Sequence, residues 1–269
     1  MTHVTSTLLI ACVLSQASES PPTGMRSDLS VGKLFVPTGY GPKDGRVHVI
    51  LHLHGAPAVC ERNLKRSGVE AVLVNVTLNG LSSVYTEKFK SPETFQTLLR
   101  ETIAKLRELK VADNPTIEQL TVTSFSAGFG GVRELLKSDD IYQRIDTLVM
   151  ADSIYAGYKS GADSRQVEPK HMEGFLRFAR DATEGKKTFV ISNCQLQPDG
   201  YASTGETADY LLTELGLKRE PVDEAWADDW QCTSHCRRKG FHVYGFAGDA
   251  GKDHVRHLQN LDKLLRRTQ

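Results

Sequence analysis

Ser126 stands in Ser124-Phe125-Ser126-Ala127-Gly128-Phe129-Gly130-Gly131, between the run Leu120-Thr121-Val122-Thr123 and a helical pattern through Val132, Leu135 and Leu136. A serine hydroxyl is a weak nucleophile, so it needs exposure, a neighbouring base and donors for the oxyanion it generates. A strand-to-helix turn lifts the side chain off the sheet. A helix starting at Ala127 then aims its free N–H groups and positive dipole end at the same spot. A Gly/Ser-rich turn can also simply pack, or hold a phosphate. No lysine follows these glycines, however, and no GxGxxG spacing is present. Four further segments carry chemistry-bearing side chains. They are His52-Leu53-His54-Gly55-Ala56-Pro57, Asp152 in Ala151-Asp152-Ser153, Asp199 in Gln197-Pro198-Asp199-Gly200, and the Gly-rich stretch ending at His254, with His257 one helical turn beyond. Hydroxyl, imidazole and carboxylate together are the set that acyl transfer requires.

The elements that must position these groups alternate. Val47 to Leu53 and Ala71 to Leu78 are apolar on both faces, as buried parallel strands are. Ser91-Pro92-Glu93 predicts an N-cap and first-turn proline for a helix with Phe95, Leu98, Leu99, Ile103, Leu106 and Leu109 on one face. Strands follow at Leu120 to Thr123, Ile145 to Met150, Lys187 to Ser192 and Phe241 to Phe246. Helices are expected after Ser126, over 171 to 182, after the capping-box pair Ser203 and Glu206, and through Val255, Leu258, Leu261 and Leu265. Such alternation implies an α/β fold, with a doubly wound, mostly parallel sheet of at least six strands and helices on both faces. Ligands then sit beyond the carboxyl ends of the strands, where every candidate residue falls.

Residues 33 to 267 resemble the α/β-hydrolase superfamily in this order of parts. The segment around Ser126 resembles its nucleophile elbow, G-x-S-x-G, with Ser124 in place of the first glycine and Gly128 as the second. His52-Leu53-His54-Gly55 resembles the His-Gly loop of lipases and esterases. The resemblance implies Ser126 as nucleophile and an oxyanion hole from Ala127 with Gly55 and Ala56. It implies a histidine on the loop after the last strand, which favours His254 over His257. For the acid it leaves two places, Asp152 or Asp199. Asp152 is preferred because it lies directly at a strand end, whereas Asp199 sits down a Pro-Gly turn. The implied activity is a cofactor-free serine hydrolase acting on a small-molecule ester through an acyl-enzyme. Amidase or peptidase chemistry would use the same residues, and a non-catalytic binding protein can occupy the same fold.

Composition sets the outer bounds. Thirty-three basic and thirty-three acidic residues give a formal net charge of zero, and no run of like charge points to nucleic acid or an anionic membrane. The first twenty residues hold an apolar run from Leu8 to Leu14, too short to span a bilayer but suited to a signal peptide. A secreted or cell-envelope protein is therefore expected, and Leu9-Ile10-Ala11-Cys12 resembles a bacterial lipidation sequence. Residues 21 to 32 are read as linker and 33 to 269 as a single domain. Cys60, Cys194, Cys232 and Cys236 permit disulfides in an exported chain. Cys232, His235 and Cys236 lack a second ligand pair for zinc, so no metal is expected. Trp226 and Trp230 are expected to pack or to line a pocket. The sequon at Asn75 falls in a predicted buried strand and is read as structural.

Overall fold

The computed structural model describes residues 20–161 and 165–269. The expected export segment, with Cys12, lies outside the described residues. The chain runs β1 (Gly24–Asp28), β2 (Lys33–Pro37), β3 (Arg46–Leu53), α1 (Pro57–Ser67), β4 (Val72–Val76), α2 (Ser82–Phe89) and α3 (Pro92–Glu108). It continues with β5 (Thr116–Phe125), α4 (Phe129–Leu135), α5 (Asp139–Arg144), β6 (Thr147–Ala151), α6 (Glu173–Glu184), β7 (Thr188–Asn193) and α7 (Thr204–Glu214). It ends with β8 (Glu220–Ala227), β9 (Trp230–Arg238), β10 (Phe241–Phe246), α8 (Gly251–Gln259) and α9 (Leu261–Leu265).

One ten-stranded sheet has the order β1-β2-β4-β3-β5-β6-β7-β10-β9-β8. Its centre, β4 to β10, is parallel throughout, and an antiparallel pair extends it on each side. Alternation along each strand divides the core. Val49, Leu51, Val122, Leu148 and Met150 join Leu98, Val132, Phe175 and Leu211 in one cluster. Ile50, Leu73, Val149 and Val190 join Leu64, Leu258, Leu261 and Leu264 in the other. Helices α2 to α7 thus cover one face of the sheet and α1, α8 and α9 the other. Among the described residues no helix is long and apolar enough to cross a membrane.

Several expectations need correction. Residues 24–28, read as linker, form edge strand β1, held by its ladder to β2 and by Arg26, whose guanidinium meets Glu61 at 2.5 Å. Their polar composition reflects an edge with little to bury, not the lack of a strand. The segment containing Trp226 and Trp230 is no mere insert but the hairpin β8–β9. Ser91 occupies the N-cap position of α3 without a side-chain cap bond. The capping box of Ser203 and Glu206 is present in full at α7.

Candidate active site

Register places the site. In the ladder, Leu53 lies opposite Ser124, Phe125 opposite Ala151, and Ala151 opposite Ser192. The carboxyl ends of β3, β5, β6 and β7 are therefore level, and the next residues of the first three emerge side by side. Those residues are His54, Ser126 and Asp152. All three are non-glycine residues in the left-handed backbone region, with φ of 70°, 47° and 46°. Such conformations cost an L-residue roughly 1–2 kcal/mol and persist where the surroundings impose them.

The elbow is held from below by close backbone approach. A Cβ on Gly128 would collide with the carbonyl oxygen of Leu53, and one on Gly131 would meet the Leu53 side chain at 2.8 Å. Small residues let the turn sit on the end of β3. Ser124, the departure from the elbow pattern, is fully buried with its hydroxyl 2.6 Å from Ser153 Oγ. Ser153 donates in turn to the carbonyl of Ser126 at 2.9 Å. Since that bond uses the Ser153 proton, Ser124 must be the donor of the first. The chain of hydroxyls ties the turn carrying Ser126 to the loop carrying Asp152.

A single turn of 3-10 helix, Ser126–Gly128, precedes α4, so helical N–H groups begin at the serine itself. Replacing Ser126 by glycine relieves the positive φ, whereas alanine does not. Urea unfolding should find Ser126→Gly about 1 kcal/mol more stable than Ser126→Ala. Equal stabilities would mean that the turn imposes no strain.

Asp152 is fully buried. Its Oδ2 accepts from His254 Nδ1 at 2.6 Å and from the Cys194 thiol at 2.9 Å. Its Oδ1 accepts from the Cys194 amide at 3.2 Å and from the Thr204 hydroxyl. Burial alone would raise its pKa, but His257 and His254 outweigh that and hold it below the usual carboxylate range. An ionised carboxylate must receive a proton from Nδ1, so neutral His254 keeps Nε2 free as an acceptor. The ring of His254 also stacks on Phe125, with centroids 4.5 Å apart. Edge and face are both fixed.

The structure moves His254 off the expected loop into the first turn of α8. Asp253 accepts from the Ala250 N–H at 3.0 Å and starts the helix early. Gly248, with φ of 100°, leaves room for that carboxylate. His257 lies behind the site, its Nδ1 2.7 Å from Ser192 Oγ and its ring edge-on to Trp230 and Phe246. Asp199 is exposed on its turn. Asp152, Cys194 and His254 each bring one potential ligand atom within 4.8 Å of the others. Burial pushes the Cys194 thiol pKa up, so the sulfur stays a hydrogen-bond donor to Asp152.

Ser126, Ala127 and His254 line one cavity of about 320 Å³, near the low end for small-molecule sites. Phe129, Arg133, Tyr155, His171 and Tyr201 form much of the rest of its wall, with Leu81 at its mouth. Gly55 and Ala56 are not among the lining residues. The Gly55 carbonyl accepts from Asn75 Nδ2 at 3.1 Å and from the Thr77 hydroxyl, which accounts for the buried Asn75 of the sequon. The His54 amide is committed to Val76 and its ring to the Tyr85 hydroxyl. Trp226 and Trp230 lie outside the cavity, Trp230 stacked on Phe246 at 3.9 Å. The four cysteines of the described residues are free thiols.

Arg133, Tyr155, His171 and Tyr201 were not legible as site residues. One signal existed. Arg133 lies seven residues after Ser126, two helical turns along the same face, between the core positions Val132 and Leu135. The other three are brought in by loops whose course only the folded chain sets.

Two buried histidines make the fold acid-sensitive. Burial pushes His52 down to about 3 and His257 to about 4, the latter against the attraction of Asp152. In the unfolded chain both titrate near 6.5, so below that pH the unfolded state binds protons that the folded state does not. Their stabilisation is complete above pH 6.5 and lost as pH falls towards these folded values, each at up to about 1.4 kcal/mol per pH unit. Urea midpoints are expected to drop steeply between about pH 6.5 and 4.5. A flat profile there would show that these rings are protonated in the folded state.

No family model matches the chain, and no curated protein matches it in sequence. Among solved structures it is similar to an uncharacterised protein from Capnocytophaga ochracea, with a TM-score of 0.51 and 11% identity. That alignment covers 90% of this chain and 63% of the other. It is also similar to ferric enterobactin esterase from Salmonella typhimurium, with a TM-score of 0.50, 11% identity, and coverage of 94% and 59%. The chain thus spans less than two thirds of either structure, and at this identity the likeness is one of fold. The fold it shares with them is α/β, a mostly parallel sheet with helices on both faces.

Proposed function

We propose that the chain is a serine hydrolase that cleaves a carboxylic ester, with Ser126 as nucleophile, His254 as base and Asp152 as orienting acid. The observation that carries this reading is the 2.6 Å bond from His254 Nδ1 to Asp152 Oδ2, beside the cavity that Ser126 and His254 both line. Ser126 Oγ attacks the ester carbonyl as His254 Nε2 takes its proton. The oxyanion accepts from the Ala127 N–H. In the loop after β3 the His54 amide is already bonded, and Gly55 and Ala56 do not line the cavity, so the Ala127 N–H is the donor this reading rests on. Collapse breaks the bond to the alcohol, which leaves with the proton from His254. Water then attacks the acyl-enzyme by the same route in reverse, releasing the acid and free Ser126.

The test is labelling with a fluorophosphonate, followed by peptide mapping. Modification is expected at Ser126 and absent in Ser126→Ala. A protein that neither takes the label nor cleaves short-chain aryl esters would instead be a binding protein on the hydrolase fold.

A further inference from the structure

Among the described residues, the cavity wall holds one cation without an acid to match it. Arg133 lies on α4 with its guanidinium 4.9 Å above the Phe129 ring. One amino group donates to the Tyr155 carbonyl, and its Nε is buried without a partner. No carboxylate of the described residues forms an ion pair with it. A part-buried guanidinium has five N–H donors and loses solvation for each one left unmet, so it is normally paired. Burial draws its pKa down to about 10, which leaves it charged at neutral pH.

Beside it stands His171, on the same cavity wall. The Gly157 N–H donates to His171 Nδ1 at 2.9 Å, so the neutral ring carries its proton on Nε2 and is a second donor. Burial and the charge of Arg133 lower the pKa of His171, which keeps it neutral and avoids a second cation. The remaining wall, with Phe129, Tyr155 and Tyr201, is largely apolar. A fixed cation in an apolar cavity next to a nucleophile favours a small substrate with an anionic end.

We propose that Arg133, assisted by His171, binds a carboxylate on the substrate a few carbon atoms from the scissile ester. This rests on the serine-hydrolase reading for the cleavage, though the anion site itself does not. The bidentate fork of an arginine suits a carboxylate and would draw it away from Ser126 towards the far wall, leaving the ester carbonyl at the nucleophile.

The test compares matched ester pairs. 4-Nitrophenyl hemiglutarate against 4-nitrophenyl valerate places the charge on the acyl side. The acetyl ester of 4-hydroxybutanoate against butyl acetate places it on the alcohol side. In at least one pair the charged ester is expected to have a kcat/KM about 10- to 100-fold higher, as a charge-assisted bond provides. Arg133→Met should bring that ratio to about one or below, and raising the salt concentration should lower it in the unaltered protein. Ratios within about threefold of one in both pairs would overturn the proposal, as would a ratio that survives Arg133→Met. Calorimetric titration of glutarate into Ser126→Ala tests the anion site without turnover. Binding there, lost in Ser126→Ala with Arg133→Met, would uphold the site even if every ester resisted cleavage, and that failure would then fall on the hydrolase reading alone. No binding, with no charged-ester preference, removes the site.

Discussion

On the proposed serine-hydrolase reading, Ser126→Ala is expected to lower kcat for a short-chain aryl ester on the order of 10⁴- to 10⁶-fold, as loss of the nucleophile does in triad enzymes. Without its hydroxyl the acyl-enzyme cannot form, and what remains is stabilisation of direct water attack by the oxyanion donors. His254→Ala should cost about as much, because serine without a base is not activated. The double variant should be little worse than either, since the two act as a unit. Steady-state kinetics on purified, folded variants check this. His257→Ala serves as the control. Its ring contacts Ser192, Trp230 and Phe246 behind the site, so its loss should lower stability more than kcat. If a folded His257→Ala is inactive while His254→Ala retains activity, the base has been assigned to the wrong residue.

Asp152→Asn should lower kcat on the order of 10⁴-fold with the fold intact. The carboxylate receives every bond offered to it, from His254, Cys194 and Thr204. An asparagine amide turned towards His254 would donate to Nδ1, forcing the imidazole proton onto Nε2, the nitrogen that has to accept from Ser126. The ring would stay in place over Phe125 in the wrong tautomer. Asp199→Asn, on an exposed turn, should change kcat by less than about twofold. Near-normal turnover in Asp152→Asn together with collapse in Asp199→Asn would transfer the acid's role to Asp199. It would leave Ser126 and His254 as they are.

Much of the frame was legible because its causes are local. The strand at Val47 to Leu53 and the elbow around Ser126 are written in consecutive residues: β-branched apolar runs buried on both faces, then small residues where the chain must turn on β3. The capping box at Ser203 is likewise a matter of four residues. Helix α1 was not legible, since buried Glu61 and Asn63 interrupt its apolar stripe. They are tolerated there only because Arg26 meets Glu61, and Asn63 bonds the Leu258 carbonyl and the Asp262 amide. The hairpin β8–β9 was hidden in the same way, because an edge pair is stabilised by backbone bonds that composition does not record.

The site divides along the same line. The turn that carries Ser126 is set by consecutive residues, so the sequence alone sufficed to single it out as a candidate nucleophile. The choice between Asp152 and Asp199 depends on which strand end faces α8, and 102 residues separate Asp152 from His254. Sheet order and register decide that pairing, through the level ends of β5, β6 and β7. Arg133 belongs to both accounts. Its place two turns after Ser126 is local, but its lack of an acid partner among the described residues is a property of everything packed around it.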